Sequence, residues 1–524
     1  MTPPRPLRNR WLLPVLLILL CAAFLLPGLG RPVMSREQEL RVALTARTMA
    51  ETGDWLHPVY LGEPRLRKPP LMYWVVATAY QIAGTARSAT VARLPSALLG
   101  LALVGLLYGI SAAHLGRRRA AVAAVVCGTS FIFLKQARLA ETDILLCLGT
   151  ALAALSLFRA LTQPRPGAWW GWAGLAAGLG FMAKGPAALA LPILAGLAYS
   201  STTPKARAAW RSLAPLGAGL VVVLVALPWY ALILGDDAGL AQVRDEIRRA
   251  SSASEHTGPA LYYTYTLLHA MAPWSLALPF AVVAAWRQRH RPLLRFALAW
   301  LGTSFLVLSV LDSKQIHYAL LLIPPASLLA GSFLGSAWVG RAAARQQAQR
   351  LIRFLLGVMG TLGLAIMVAA WFPALRVPSA PVALAGLAAC ALSLLGLRSR
   401  PGTMRPLLCL TLALLVMTGA ANLAVVPGLA KERVIMEAVQ DAQAEIEAAP
   451  RVHFTGPRNA IAEFYAGRTL GVADDPAQAW AHAGAGDVLI VVAQGKPPEA
   501  PRLPGPARYQ RVADRMRCAI AIKP

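Results

Sequence analysis

The chain is short of acid. Among its 524 residues, 24 Asp and Glu stand against 51 Lys and Arg, and only 14% of residues are charged. That is about half the charged share of a soluble protein, which excludes an ordinary water-soluble fold for most of the chain. The shortage is also local. No acid falls in RPLRNR at the start, GRRR at 116–119, TPKARAAWR at 203–211, WRQRHRPLLR at 286–295, GRAAARQQAQR at 340–350 or LRSRPGTMR at 397–405. Cysteine is scarce too: Cys21, Cys127, Cys147, Cys390 and Cys409 fall in apolar runs, and only Cys518 lies elsewhere. Neither a disulfide framework nor a Cys/His metal spacing follows from them.

Apolar length takes the place of charge. The chain is 57% hydrophobic with a mean hydropathy of +0.53. Runs long enough to cross a bilayer as helices recur near 11–29, 95–113, 120–134, 144–161, 168–183, 185–200, 213–234, 264–286, 296–311, 316–336, 351–372, 380–397 and 406–427. The expected fold class is therefore an all-α polytopic membrane protein of about thirteen transmembrane helices. The basic clusters occupy every second loop, and short basic loops stay in the cytoplasm. That sets the N-terminus inside and the end of the chain outside. The net charge of +27 is thus a topology signal and argues against a nucleic-acid partner. The run 11–29 lacks a small-residue cleavage site and reads as a retained anchor.

Two segments depart from this pattern. PPLMYWVVATAYQIAG, 69–84, begins with two prolines and carries Gln81. It reads as a juxtamembrane helix in the outer interface, with Tyr73, Trp74 and Tyr80 at headgroup depth. After residue 430, KERVIMEAVQDAQAEIEAA reads as an amphipathic helix, RVHF and DVLIVVAQ as strands, and FTGPRN as a strand-to-helix turn. The expected organisation is a transmembrane domain over 1–429 and a small soluble α/β domain over 430–524.

Chemistry gathers in the outer loops. The first holds Glu37, Gln38, Glu39, Arg41, Asp54, His57 and the run RLRKPP with Lys68. The second holds Arg138, Glu141 and Asp143. Lys184-Gly185-Pro186 then interrupts a long apolar stretch and marks a helical hairpin. Arg244, Arg248, Arg249 and His256 follow, then Lys314, His317 and Tyr318. Ionisable groups at membrane depth are costly, so their convergence on one side points to a site. Each has a bland alternative. Glu37 and Glu39 could be solvated, Glu141 and Asp143 could cap a helix, and Arg248 and Arg249 could pair with neighbouring acids. Lys184 is the hardest to dismiss, because a buried cation needs an anion.

The order of motifs carries a resemblance. ELRVALTARTMAETGDWLHP, KPPLMYW, ARLP, AETDILL, GLGFMAKGPAALALP, LPWYALI, EHTGPALYYTYTLL, APWSLALP and DSKQIHYALLLIPPASLLAG occur in sequence over residues 10–335. Together they resemble the lipid-carrier-dependent glycosyltransferases of the GT-C superfamily. The nearest branch covers the bacterial enzymes related to protein O-mannosyltransferases and to the 4-amino-4-deoxy-L-arabinose transferase acting on lipid A. That family opens its first loop with Asp-Glu and then Arg; the matching positions here hold Gln38, Glu39 and Arg41. An amide takes up no proton at physiological pH, so the resemblance leaves Glu39, then Glu37, as the base. It also leaves open an altered or lost catalysis. Asp143 matches the second-loop acid. Lys68, Lys184 and Arg249, with Arg41, match positions contacting the donor phosphate. Gln38, Glu141, Arg138, His256, Tyr318 and Lys314 fall among cavity-lining positions. Arg67 stands where the family often has Glu, which weakens any metal site there; no cofactor is required, and a divalent metal stays open.

The chemistry stands without the family. A polyprenyl-phosphate sugar reacts when an acceptor attacks opposite the phosphate and a carboxylate takes the acceptor's proton. Fixed cations stabilise the departing phosphate, and one displacement inverts the anomeric centre. The expectation is an inverting transferase in a bacterial inner membrane. It would use an undecaprenyl-phosphate sugar and a lipid A-like lipid or glycan acceptor on the periplasmic face. A flippase for polyprenyl-linked sugars and an inactive lipid-binding partner are the alternatives.

Overall fold

The computed structural model describes residues 11–524 except 236, 252–257, 260, 313, 371–378, 401, 431, 495–505 and 514–515. Two compact units emerge, each assembled from separated stretches of chain. One comprises Met1–Pro27, Leu66–Met72 and Ser96–Ala420, the other Gly28–Arg65, Tyr73–Pro95 and Ala421–Pro524.

The first unit is helical. Among the described residues of the whole chain, eight helices are long and apolar enough to cross a membrane, and four shorter apolar helices accompany them. A helix satisfies its own backbone, which is what a hydrocarbon environment requires. Burial separates their roles. Leu216, Leu220, Leu224 and Leu227 all lie exposed on the helix Ala214–Leu234, a stripe suited to lipid. The helix Asp143–Thr162 is instead enclosed along most of its length.

Small residues allow that enclosure. Ala153 packs with Ala176 and Ala177. A Cβ added to Gly149 would lie 2.7 Å from Gly180 Cα, so the helices Asp143–Thr162 and Gly167–Lys184 meet almost backbone to backbone. Glycine and alanine permit such close approach where lipid supplies no hydrophobic drive. The second helix ends at Lys184, Gly185 turns with φ +97°, and the next helix runs Ala187–Ser201. The hairpin expected at Lys184-Gly185-Pro186 is present.

Several apolar runs are interrupted. The run 120–134 forms two helices, Arg117–Thr129 and Phe131–Gln136, with Ser130 extended between them. The run 264–286 forms Tyr262–Ala270, a short 3-10 turn and Ala277–Arg287, with a cis Ala272–Pro273 bond in the break. The run 316–336 opens as a 3-10 turn, Ile316–Leu322, before the helix Ile323–Leu334.

The second unit combines the first loop with the end of the chain. A helix spans Glu37–Thr52, and a short antiparallel hairpin pairs β1 (Val59–Tyr60) with β2 (Glu63–Pro64). The helix Leu71–Ala83 forms as expected. Its Tyr73 and Tyr80 are buried in protein, where the sequence reading set them at lipid headgroups. Arg65 Nε donates to the Tyr73 hydroxyl at 3.2 Å, and Trp74 Nε1 to the Trp55 carbonyl at 2.6 Å. Tyr73 and Trp74 thus have polar partners within the loop itself.

The C-terminal sheet comprises β3 (Val452–Thr455), β4 (Gly471–Val472), β5 (Val488–Gln494), β6 (Tyr509–Ala513) and β7 (Met516–Ile522). Their order is β4-β3-β5-β7-β6. β3 is parallel to both β4 and β5, whereas β7 is antiparallel to β5 and β6. RVHF and DVLIVVAQ supply β3 and β5 as expected. The amphipathic helix is broken in two at Ala442, into Arg433–Asp441 and Gln443–Ala448. Val434, Ile435, Ala438, Val439 and Ile446 still form one buried face.

Arg47 ties the sheet's neighbourhood to the helix Glu37–Thr52. It is buried and donates to the carbonyls of Glu463 (3.1 Å) and Phe464 (3.3 Å), near the end of the helix Asn459–Ala466. A cation there complements the helix dipole. Burial pushes the Glu463 carboxyl up from its ordinary value, against the opposing pull of Arg47. Nearby, the Met34 amide donates to the Tyr465 hydroxyl at 2.9 Å, and Arg87 pairs with Glu447.

Candidate functional site

In the first unit, a cation sits between an acid and an imidazole. Asp143 is the first residue of its helix and Lys184 the last of the helix packed against it. Each charge therefore complements the dipole at its own terminus. Lys184 Nζ donates to Asp143 Oδ1 at 2.6 Å and lies 3.2 Å from His317 Nε2. An ammonium has donors only, so that imidazole nitrogen accepts. Lys184 Nζ also stands 5.1 Å from the centroid of the Tyr318 ring, a cation–π distance. His317 and Tyr318 meet edge to face at 4.6 Å. Lys68 exerts a favourable electrostatic pull on Asp143. The structure thus brings Asp143, Lys184, His317 and Tyr318 into one cluster, with Lys68 in electrostatic range.

Other candidates are turned elsewhere. Arg138 donates to the Phe24 and Leu25 carbonyls at 3.3 and 2.5 Å, closing the C-terminus of the helix Leu12–Leu25. Lys314 does the same for the helix Pro292–Val310, donating to Leu308, Ser309 and Leu311, the last at 2.6 Å. Glu141 is the exception: buried and accepting from Gln136 at 3.1 Å, it lies within electrostatic range of Lys184. Arg67 and Arg248 each lie 3.5 Å from Asp245, which for Arg248 is the intrahelical pairing expected of a bland reading. Arg249 falls on the helix Asp237–Ser251, but its side chain is outside the described set, and His256 lies outside the described residues.

The first-loop acids, in the second unit, separate by face. Successive residues rotate about 100° around a helix, so Glu37 and Gln38 are exposed while Glu39 is 1% exposed. Both Glu39 oxygens are held by Arg93: Nε to Oε1 at 2.8 Å and Nη2 to Oε2 at 2.9 Å. Such bidentate pairs are among the stronger polar contacts in proteins. Arg93 Nη1 also donates to the Leu29 and Pro32 carbonyls at 3.0 and 2.8 Å, fixing the entry to the loop. Glu37 pairs with Arg41 one turn along, on the exposed side.

Two participants carry no assigned role in the sequence reading. Arg93 stood in the ARLP motif but was read only as a family marker. His317 was noted beside Tyr318 and given no role. Among the described residues, no group of three or more His, Cys, Asp or Glu stands close enough to hold a metal ion.

The chain is similar to known proteins in sequence and in fold. Residues 67–231 match the family described as dolichyl-phosphate-mannose-protein mannosyltransferase. The chain is 32% identical over 377 residues to undecaprenyl phosphate-alpha-4-amino-4-deoxy-L-arabinose arabinosyl transferase 1 of Pseudomonas fluorescens, covering 69% of this chain and 66% of that one. It is 30% identical over 368 residues to transferase 2 of another strain of that species, covering 68% and 65%. The matched region thus spans slightly less than two thirds of these relatives' length. Among solved structures, ArnT from Cupriavidus metallidurans bound to undecaprenyl phosphate superposes with a TM-score of 0.76 at 18% identity, over 97% of both chains. At that identity the likeness is one of fold.

Proposed function

Because the chain belongs to the GT-C superfamily of lipid-carrier-dependent glycosyltransferases, we propose that it transfers a sugar from an undecaprenyl-phosphate donor to a lipid A-like or other envelope acceptor. The observation that carries this reading is Lys184, held at a helix end between Asp143 and His317. A cation so fixed meets the phosphate of a lipid carrier without reorganising during reaction.

In this reading the sugar stays bonded to the carrier phosphate until an acceptor oxygen attacks the anomeric carbon from the opposite side. The carbon–oxygen bond to phosphate breaks, and the carrier leaves with the bonding pair. Lys184 and Lys68 stabilise that charge, with Arg41 and Arg249 as further donor contacts. Asp143 and His317 orient the Lys184 ammonium, and Tyr318 backs it with its ring. The acceptor's proton goes to a first-loop carboxylate. Glu37 is the exposed one, while both Glu39 oxygens are buried and already occupied by Arg93. The division of labour favoured here is therefore Glu37 as base and Glu39 as the anchor of its loop. No cofactor is required, and fixed cations do the work a metal would otherwise do.

The same reading takes thirteen membrane helices, a bacterial inner-membrane setting with the site on the periplasmic face, and residues 430–524 as a periplasmic α/β domain. The alternation of basic loops supports that orientation.

The test supplies purified full-length protein with labelled undecaprenyl-phosphate aminoarabinose and lipid A. Formation of a glycosylated lipid is expected. Lys184→Ala should weaken donor use about 10- to 100-fold, the range for losing a charged hydrogen bond, with acceptor dependence little changed. Unaltered donor dependence would rule out the phosphate role. Donor moved across a vesicle without product would favour a transporter.

A further inference from the structure

At the far end of the helix that follows His317, an open apolar groove lies among three helices. Phe280 comes from Ala277–Arg287, Phe333 from Ile323–Leu334, and Leu351 and Phe354 from Ala342–Ala369. Gln347 and Arg350 complete its rim. From His317 to Phe333 the chain climbs on the order of 25 Å, so this is not the Lys184 cluster. The cavity measures about 280 Å³. That lies just below the range of pockets for whole small molecules and suits a segment of hydrocarbon chain.

Depth in the bilayer identifies the occupant. The helix Ala342–Ala369 has 28 residues, about 42 Å at helical rise, longer than a hydrocarbon core of about 30 Å. Its first turns, AAARQQAQR, are polar; from Phe354 to Ala369 no residue is charged. Arg353 is the last charge on the helix, so Phe354 opens its uncharged segment, and Arg350 stands one turn before Phe354 at headgroup level, with Leu351 and Ile352 between them. Phe280 and Phe354 are roughly half exposed on the groove walls, and Phe333, stacked on Phe280 at 6.0 Å, forms a buried floor. The adjoining end of Ala277–Arg287 runs into Trp286, Arg287, Arg289 and Arg291, again without an acid. Trp286 is exposed, and Arg289 lies over its ring at 5.2 Å, an aromatic and basic pair suited to the interface.

We propose that this groove is a specific site for an anionic phospholipid, one acyl chain lying between Phe280 and Phe354 and the headgroup phosphate meeting Arg350 and Gln347. Charge complementarity selects the occupant. The rim belongs to the basic, acid-free side of the chain, and a negative headgroup is what such a side attracts. The guanidinium supplies directional donors to the phosphate, while the phenylalanines give the chain a rigid wall that a smooth helix face lacks. The site is independent of the transferase reading, because none of its residues belongs to the reaction.

The experiment uses purified full-length protein and counts retained lipids by native mass spectrometry after exposure to vesicles of dioleoyl-phosphatidylglycerol or dioleoyl-phosphatidylcholine. One phosphatidylglycerol should be held about fivefold in preference to phosphatidylcholine, the size expected of a single basic contact at the surface. Arg350→Gln should bring the ratio to about one, and Phe354→Ala should lower retention of both lipids. Arg398→Gln, an exposed arginine on another basic loop, should change neither. Equal retention of the two lipids, or a preference that survives Arg350→Gln, overturns the proposal. So does displacement of phosphatidylglycerol by stoichiometric undecaprenyl phosphate, since the groove would then serve the carrier.

Discussion

Glu37 and Glu39 differ by two positions in sequence and by everything that matters for proton transfer in structure. One is exposed beside Arg41; the other is sealed against Arg93. Their substitutions should therefore part company. Glu37→Gln should abolish product formation while leaving yield and unfolding temperature unchanged. Arg93→Ala should strand a buried carboxylate, at a cost of about 3 to 5 kcal/mol, and show itself as lost yield or a lowered Tm before any assay of transfer. A stable Arg93→Ala protein with normal transfer would show the pair to be dispensable. The sequence could not reveal this difference. Arg93 stands 54 residues from Glu39, and an ion pair across that distance leaves no local pattern. Lys314 and Arg138 mislead for a related reason. A cation at the end of an apolar run reads the same whether it awaits an anion or closes a helix C-terminus, as both of these do.

Elements were more legible where backbone chemistry punctuates them. Lys184-Gly185-Pro186 announced its turn because glycine accepts positive φ and proline opens the next helix. β5 is legible from its dense β-branched run, and β3 from the polar–apolar alternation of RVHF. The breaks at Ser130 and near Ala272–Pro273 are less so: Gly128-Thr129-Ser130 and Pro273 do interrupt the apolar runs, but membrane helices tolerate such residues, and only tertiary packing decides which of them end a helix. The contact of Gly149 with Gly180 is the element-scale feature on which Lys184 depends. Gly149→Val would force the two helices apart against backbone, with no flexible side chain to give way. Donor use should fall with the Asp143–Lys184 pair displaced, whereas Gly171→Val, at a glycine with open space around it, should be tolerated. Equal activity in the two variants would detach the helix contact from the site.

For the whole molecule, composition carried the class and the alternation of basic loops carried an orientation. Reporter fusions provide the check. A periplasm-dependent phosphatase should be active when fused after residue 524 and inactive when fused within 340–350. The reverse pattern would place the site on the cytoplasmic face. The division of the chain into two units was less legible. The first loop clusters with residues 421–524, and no periodicity relates segments so far apart.

That late partnership has a consequence for biosynthesis. Arg47 meets the carbonyls of Glu463 and Phe464, 416 and 417 residues downstream. At about 5–20 residues per second, the ribosome needs on the order of 20–80 s to supply them. Throughout that interval the first loop lacks the partner that secures it, so an unfinished chain carries an incomplete loop and a finished one completes it with its own last segment. A chain ending at residue 430 should insert normally yet be cut by protease within 37–52, where the full chain resists. Resistance in both would mean that the early helix stands without its late companion.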